Sequence, residues 1–314
     1  MLVNLLAKRN FFIQIFIISL FFLLGATNFN TIYLDKLEIL GIGLTILTIA
    51  YVLIIDTKND LVSKSSYPTW FYMLCLMPCL VQLTDYKLAG SLLLMTHVSA
   101  ELMYFESEKT SKFEAFDIGM FLSFAILLNP PLIILGLVIF GYFLTLKAID
   151  SSLLILALLG FLVPVLVFVQ VSYLLDFYFL IDFYREALLL DYIKFDVKQI
   201  FLIPVVILAI VTSVNYMLTI NKESVELKRV LFLLNVMGIC FIVISALFGG
   251  KDVKYLSFFA FIFMFIFTKY LNNKKAHLNW IKETILWGYL FCMLMYNFYD
   301  RIPRIFSLIT EVRF

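Results

Sequence analysis

Charge is what this sequence has least of. Only 15% of its 314 residues are charged and 63% are hydrophobic, whereas soluble chains carry about a quarter charged residues and just under half apolar ones. With a mean hydropathy of +1.01, the chain cannot make a water-facing surface. Glycine is sparse at 12 residues, which argues against the glycine-interrupted, closely packed helices of many secondary transporters. The four cysteines, Cys75, Cys79, Cys240 and Cys292, lie inside apolar runs as small hydrophobes, so neither a disulfide nor a metal is expected. Phosphate-cradling glycine loops, His/Cys ligand clusters and nucleophile elbows are all missing. That disfavours ATP-driven pumping, zinc proteolysis and serine hydrolysis, and no cofactor is expected. A net charge of +2 without a basic stripe argues against nucleic acid as a partner.

What is present is aliphatic and aromatic, with 34 Phe and 17 Tyr. Apolar runs approach the ~20 residues that carry a helix across ~30 Å of hydrocarbon. They fall at 10–27, 37–55, 67–84, 88–105, 115–129, 130–147, 152–174, 199–220, 230–249, 254–271 and 283–299. The fold class expected is an all-α polytopic transmembrane bundle of about eleven spans, with 1–314 as a single integral membrane domain. The first span follows Lys8 and Arg9 and lacks a small-residue cleavage site, so it reads as an uncleaved crossing. Through residue 114, Lys8, Arg9, Lys58, Lys64, Lys109 and Lys112 fall on one side and only Lys36 and Lys87 on the other. That bias places the N-terminus in the cytoplasm.

Beyond that point the topology turns on 115–147, whose centre is Asn129-Pro130-Pro131. Two prolines remove two backbone donors, and Asn129 is placed to cap the helix that begins at Pro130. This favours two short helices meeting in a tight break, hence eleven spans and an external C-terminus. A single kinked span would give ten and a cytoplasmic C-terminus. Later basic residues divide evenly between the two sides and do not decide it.

The stretch 175–198 keeps its aromatics while spacing Asp176, Asp182, Glu186, Asp191 and Asp196 through them. It should lie flat at the membrane surface.

Three groups of polar residues are candidates for function. His97 and Glu101 stand four apart on one face of the fourth span. Ionisable residues within a membrane usually face the bundle interior and mark a pathway, and Asp117 could join them or pair with Lys112. The structural reading has Glu101 reaching the interface and His97 bonding a carbonyl. Secondly, Asp182, Glu186 and Asp191, with Asp35 from the loop after the first span, are the candidate catalytic carboxylates. A carboxylate there could act as a general base, and Arg185 beside them could grip a phosphate. The plainer reading is an amphipathic collar whose acids face water. Thirdly, Asn129 at the double-proline break joins Arg185, His97, Glu101 and Asp117 as a candidate binding residue.

Phe116-Asp117-Ile118-Gly119, Asn129-Pro130-Pro131 and Gly160-Phe161-Leu162-Val163-Pro164 follow one another in the chain. Near its end stand Tyr270-Leu271 and Trp280-Ile281-Lys282-Glu283. In these motifs and in hydropathy the chain resembles the Bacteroidota family of uncharacterised multi-pass membrane proteins named for domain of unknown function 6427. It departs from the family's basic and tryptophan pattern at Lys147 to Ser152. The resemblance implies the inner membrane of a Gram-negative bacterium and implies no activity.

Three functions are therefore weighed. The first is an accessory or assembly component of cell-envelope biogenesis, whose partners are membrane lipids and a membrane protein or second copy. The second is a glycosyltransferase- or polymerase-type enzyme acting on lipid-linked glycans through the external acids. The third is a transporter with a polar path at His97 and Glu101.

Overall fold

The computed structural model describes residues 2–27, 35–58, 65–104, 112–145, 151–177, 179–194, 196–219, 225–250, 254–272 and 279–301. Among them it is all helical, with thirteen α-helices and no strand. In chain order these are α1 (Leu2–Leu6), α2 (Phe11–Ala26), α3 (Lys36–Lys58), α4 (Tyr67–Leu76), α5 (Tyr86–Tyr104), α6 (Lys112–Leu128) and α7 (Ile133–Thr145). There follow α8 (Ser151–Leu174), α9 (Phe179–Ala187), α10 (Ile203–Thr219), α11 (Val225–Phe248), α12 (Leu256–Asn272) and α13 (Asn279–Phe298).

Among the described residues, four stretches are long and apolar enough to cross a membrane: Lys36–Asp56, Ser152–Leu174, Val197–Asn215 and Lys228–Phe248. Phe11–Ala26, Pro130–Leu144 and Leu256–Asn272 are apolar but shorter.

Unlike a soluble bundle, the molecule is apolar outside as well as inside. Leucine, isoleucine, valine and phenylalanine side chains of α2, α3, α8 and α10 stand exposed along the outer wall, a surface that only hydrocarbon solvates without cost. At the centre, every residue of α4 is buried and α12 is buried along almost its whole length, as expected of helices apolar on all sides. These two pack on each other. Their seam is aromatic: Phe71 meets Phe267 at 5.1 Å, with Tyr289 of α13 beside it at 5.5 Å, and Phe259, Phe263 and Phe267 stack along α12 at 5.4 and 5.0 Å.

The run expected as one span at 67–84 is interrupted. After α4 the chain tightens into 3₁₀ turns at Met77–Cys79 and Gln82–Thr84. Pro78, which has no amide hydrogen and clashes with a preceding helical turn, accounts for the break.

At 115–147 the chain doubles back. A Cβ on Gly136 would stand 3.1 Å from Ile126 Cδ1 and 3.9 Å from Leu122 Cδ2, whereas ten residues of continuous helix would hold positions 126 and 136 about 15 Å apart. Next, α8 runs alongside α6 in the same direction. Near the start of α6, the Phe116 carbonyl abuts Gly160 of α8. Near their ends Tyr184 ties them together, its hydroxyl donating to the Leu127 carbonyl at 2.8 Å and its ring lying 5.7 Å from Phe168. Thus α6, α7 and α8 run up, down and up.

Candidate functional site

Four interruptions of the helices converge on one side of the molecule: the turn before α5, the Asn129-Pro130-Pro131 break, the end of α9, and the turn between α11 and α12. Together they enclose a cleft of about 690 Å³ whose lining mixes charge with apolar surface. Asp85, Lys87 and Gln82 come from the first, Glu186 and Asp191 from the third, and Lys254 and Tyr255 from the last.

Local chemistry sets each of these. Asp85 precedes α5, and its carboxylate accepts from the Lys87 amide at 2.9 Å, an N-terminal cap favoured by the helix dipole. The Lys87 ammonium lies 3.8 Å from the centre of the Phe183 ring, a cation–π contact that holds α9 against the start of α5. Burial pushes the Tyr184 phenol up to about 12, since the anion would lose its water.

Asn129 does not cap the next helix. A cap side chain accepts from the second or third helical amide, but Pro131 has none, and the Leu132 amide is taken by the Asn129 backbone carbonyl at 3.1 Å. The side chain is released, and its oxygen accepts from the Tyr255 hydroxyl at 3.3 Å. The double proline thereby turns a capping residue into a strut joining the α6–α7 break to α12.

One wall is a strap at 189–194 running beside the end of α11. Ile193 donates to the Ala246 carbonyl at 3.0 Å, Lys194 to Gly250 at 2.8 Å, and Gly250 to Asp191 at 2.9 Å. Gly250 has φ +57°, and a Cβ there would run into the Asp191 carboxylate, so glycine alone suits both the dihedral and the approach. Asp191 also pairs with Lys194 at 3.1 Å on the exposed side.

The sequence candidates are distributed as follows. Glu186, Asp191 and Asn129 line the cleft. Asp182 and Arg185 are exposed on α9 outside its lining. Asp35 is exposed at the start of α3, accepting from the Lys36 amide at 2.7 Å. His97 places Nδ1 2.7 Å from the Tyr51 hydroxyl and its ring edge-on to Phe121 at 4.6 Å. Glu101 and Asp117 are half-buried on α5 and α6. The side chain of Lys112 lies outside the described residues. His97 and Glu101 line none of the three cavities described in this molecule.

A second polar cluster was missed. The Gln14 amide of α2 donates to Asp56 Oδ2 at 2.9 Å and to the Thr69 hydroxyl at 3.1 Å, joining α2, α3 and α4. Asp56 is 1% exposed. Gln14, the lone amide within α2, was the available signal, and Asp56 was hidden by falling one residue past the expected span end. Among the described residues no three His, Cys, Asp or Glu side chains gather as a metal site.

Fold and cleft define an all-helical protein with helices suited to a membrane and a charged cleft at one end. A family model spans residues 1–306, and the chain belongs to the family of unknown function DUF6427. No curated protein and no solved structure matches it.

Proposed function

We propose that this is a multi-pass protein of a bacterial inner membrane that serves cell-envelope biogenesis as a binding or assembly component, acting through the polar cleft on the external face. It crosses eleven times with a cytoplasmic N-terminus. The observation that carries this reading is the meeting of four chain breaks on one side, since alternating crossings would bring those loops to the same face. The reversal at Asn129-Pro130-Pro131 supports two crossings in 115–147. The short, buried α4 and α12 count as crossings because neighbouring helices, not lipid, surround them.

One observation favours the enzymatic alternative, in which the cleft acts on lipid-linked glycans: Glu186 and Asp191 line the same cavity as Lys87 and Lys254. In that reading one carboxylate is the general base and the lysines bind phosphate. The transport reading is not carried further, because His97 is engaged by Tyr51 and Phe121.

Topology reporters fused at Phe314 and inserted beside Glu186 test the sidedness. Both are expected to report the periplasm; a cytoplasmic signal at Phe314 would return the chain to ten crossings. Charge reversal at Glu186 should impair envelope integrity without lowering the amount of protein in the membrane. If it does not, the cleft is not the working surface.

A further inference from the structure

Behind the strap that walls the cleft, a second cavity opens sideways. Helices α10 and α11 both lean on α12 but hardly touch one another, leaving a slot floored by α12. Two adjoining cavities fill it, about 420 and 360 Å³, sharing Val206, Ile242, Leu256, Phe259 and Phe263, each within the ~300–1,000 Å³ of small-molecule pockets. Its lining is almost wholly apolar. Along α10 it extends from Ile203 to Leu218, about 22 Å at the helical rise. An acyl chain reaching through the ~15 Å of hydrocarbon in one leaflet fits within that length.

The slot and the polar cleft share two walls. Ile193 and Leu256 face the slot, while Asp191 and Tyr255, their near neighbours in sequence, face the cleft. A chain leaving the interfacial end of the slot therefore reaches the charged residues by crossing one strap. Among the described residues neither Lys87 nor Lys254 forms an ion pair, and each ammonium rests on an aromatic ring. Asp85, Glu186 and Asp191 line the same space. A purely anionic head group would meet three carboxylates, and a purely cationic one two lysines. A group carrying both signs satisfies both sets.

We propose that the slot and cleft together bind one phospholipid with a zwitterionic, primary-amine head group. One acyl chain lies between α10 and α11 on α12, the phosphate faces Lys87 and Lys254, and the ammonium faces Glu186 and Asp191. This rests on the reading of the cleft as the working surface and names its ligand.

The test is native mass spectrometry of the full chain in detergent, titrated with dioleoyl phosphatidylethanolamine or dioleoyl phosphatidylglycerol. The first should be retained about tenfold more tightly. Gly238→Leu from α11 and Val206→Trp from α10 fill the slot from opposite walls, Gly238 having ordinary space before Ile262 at 3.9 Å. Each should lower retention of phosphatidylethanolamine about tenfold while the thermal midpoint in detergent holds. Glu186→Gln with Asp191→Asn should erase the preference between the two lipids. Equal retention of both lipids by the wild-type chain, or retention indifferent to both slot variants, overturns the proposal. A preference abolished by the slot variants, found together with a cytoplasmic reporter beside Glu186, supports the lipid site and overturns the sidedness instead.

Discussion

Several residues that look interchangeable in so apolar a sequence hold single, irreplaceable contacts. Gln14 is the donor for two buried acceptors, Asp56 and Thr69, and a buried polar group stripped of its partner costs about 1–3 kcal/mol. Gln14→Leu is expected to destabilise the protein by that amount, read as a lower thermal midpoint in detergent, whereas Gln14→Asn should recover part of it. Two residues of the motif Trp280-Ile281-Lys282-Glu283 hold contacts of this kind. The Lys282 ammonium donates to the Leu271 carbonyl at the end of α12, and Glu283 accepts from the Val3 amide at the start of α1 at 3.0 Å. Such roles are invisible in sequence, because each partner lies in a different helix and no spacing rule connects them.

At the level of elements, most boundaries were legible, since hydropathy and helix breakers are local: 152–174 became α8 at Ser151–Leu174 and 254–271 became α12 at Leu256–Asn272. What pattern could not give was depth. The run at 67–84 reads as one span among eleven, yet every residue of α4 is buried. Which loops meet in the cleft was equally hidden, so Asp85, Lys87 and Lys254 were not among the candidate site residues while Glu186, Asp191 and Asn129 were. The closest helix pair is α6 with α8, where a Cβ on Gly119 would strike the Ala157 carbonyl and one on Gly160 the Phe116 carbonyl. Backbone cannot yield as a side chain can, so Gly119→Leu should cost about 3 kcal/mol, seen as loss of folded protein on size-exclusion chromatography. Docking of α9 depends on Tyr184. Its phenol is raised from 10 to about 12, so the stability it contributes is complete below pH 10 and lost as pH climbs through 12. Tyr184→Phe should cost about 1 kcal/mol at neutral pH and flatten that alkaline decline in a detergent melting series.

Across the whole molecule, the exposed aliphatic wall and the sheltered pair α4 and α12 divide the labour between lipid and protein. On the membrane reading proposed above, hydrocarbon solvates the outer helices one at a time as they emerge. The two central helices have no such independence, for their surroundings are other segments of the same chain, some synthesised nearly two hundred residues later. During synthesis α4 must therefore wait, half clothed, until α12 arrives, and the nascent chain passes through a long interval in which its middle is unfinished. Cutting the chain after Phe248 would make that interval permanent. Such a truncated product should be cleared by membrane proteases well before the full-length chain in a pulse-chase comparison, and equal lifetimes would show that α4 finds a home without its late-arriving partner.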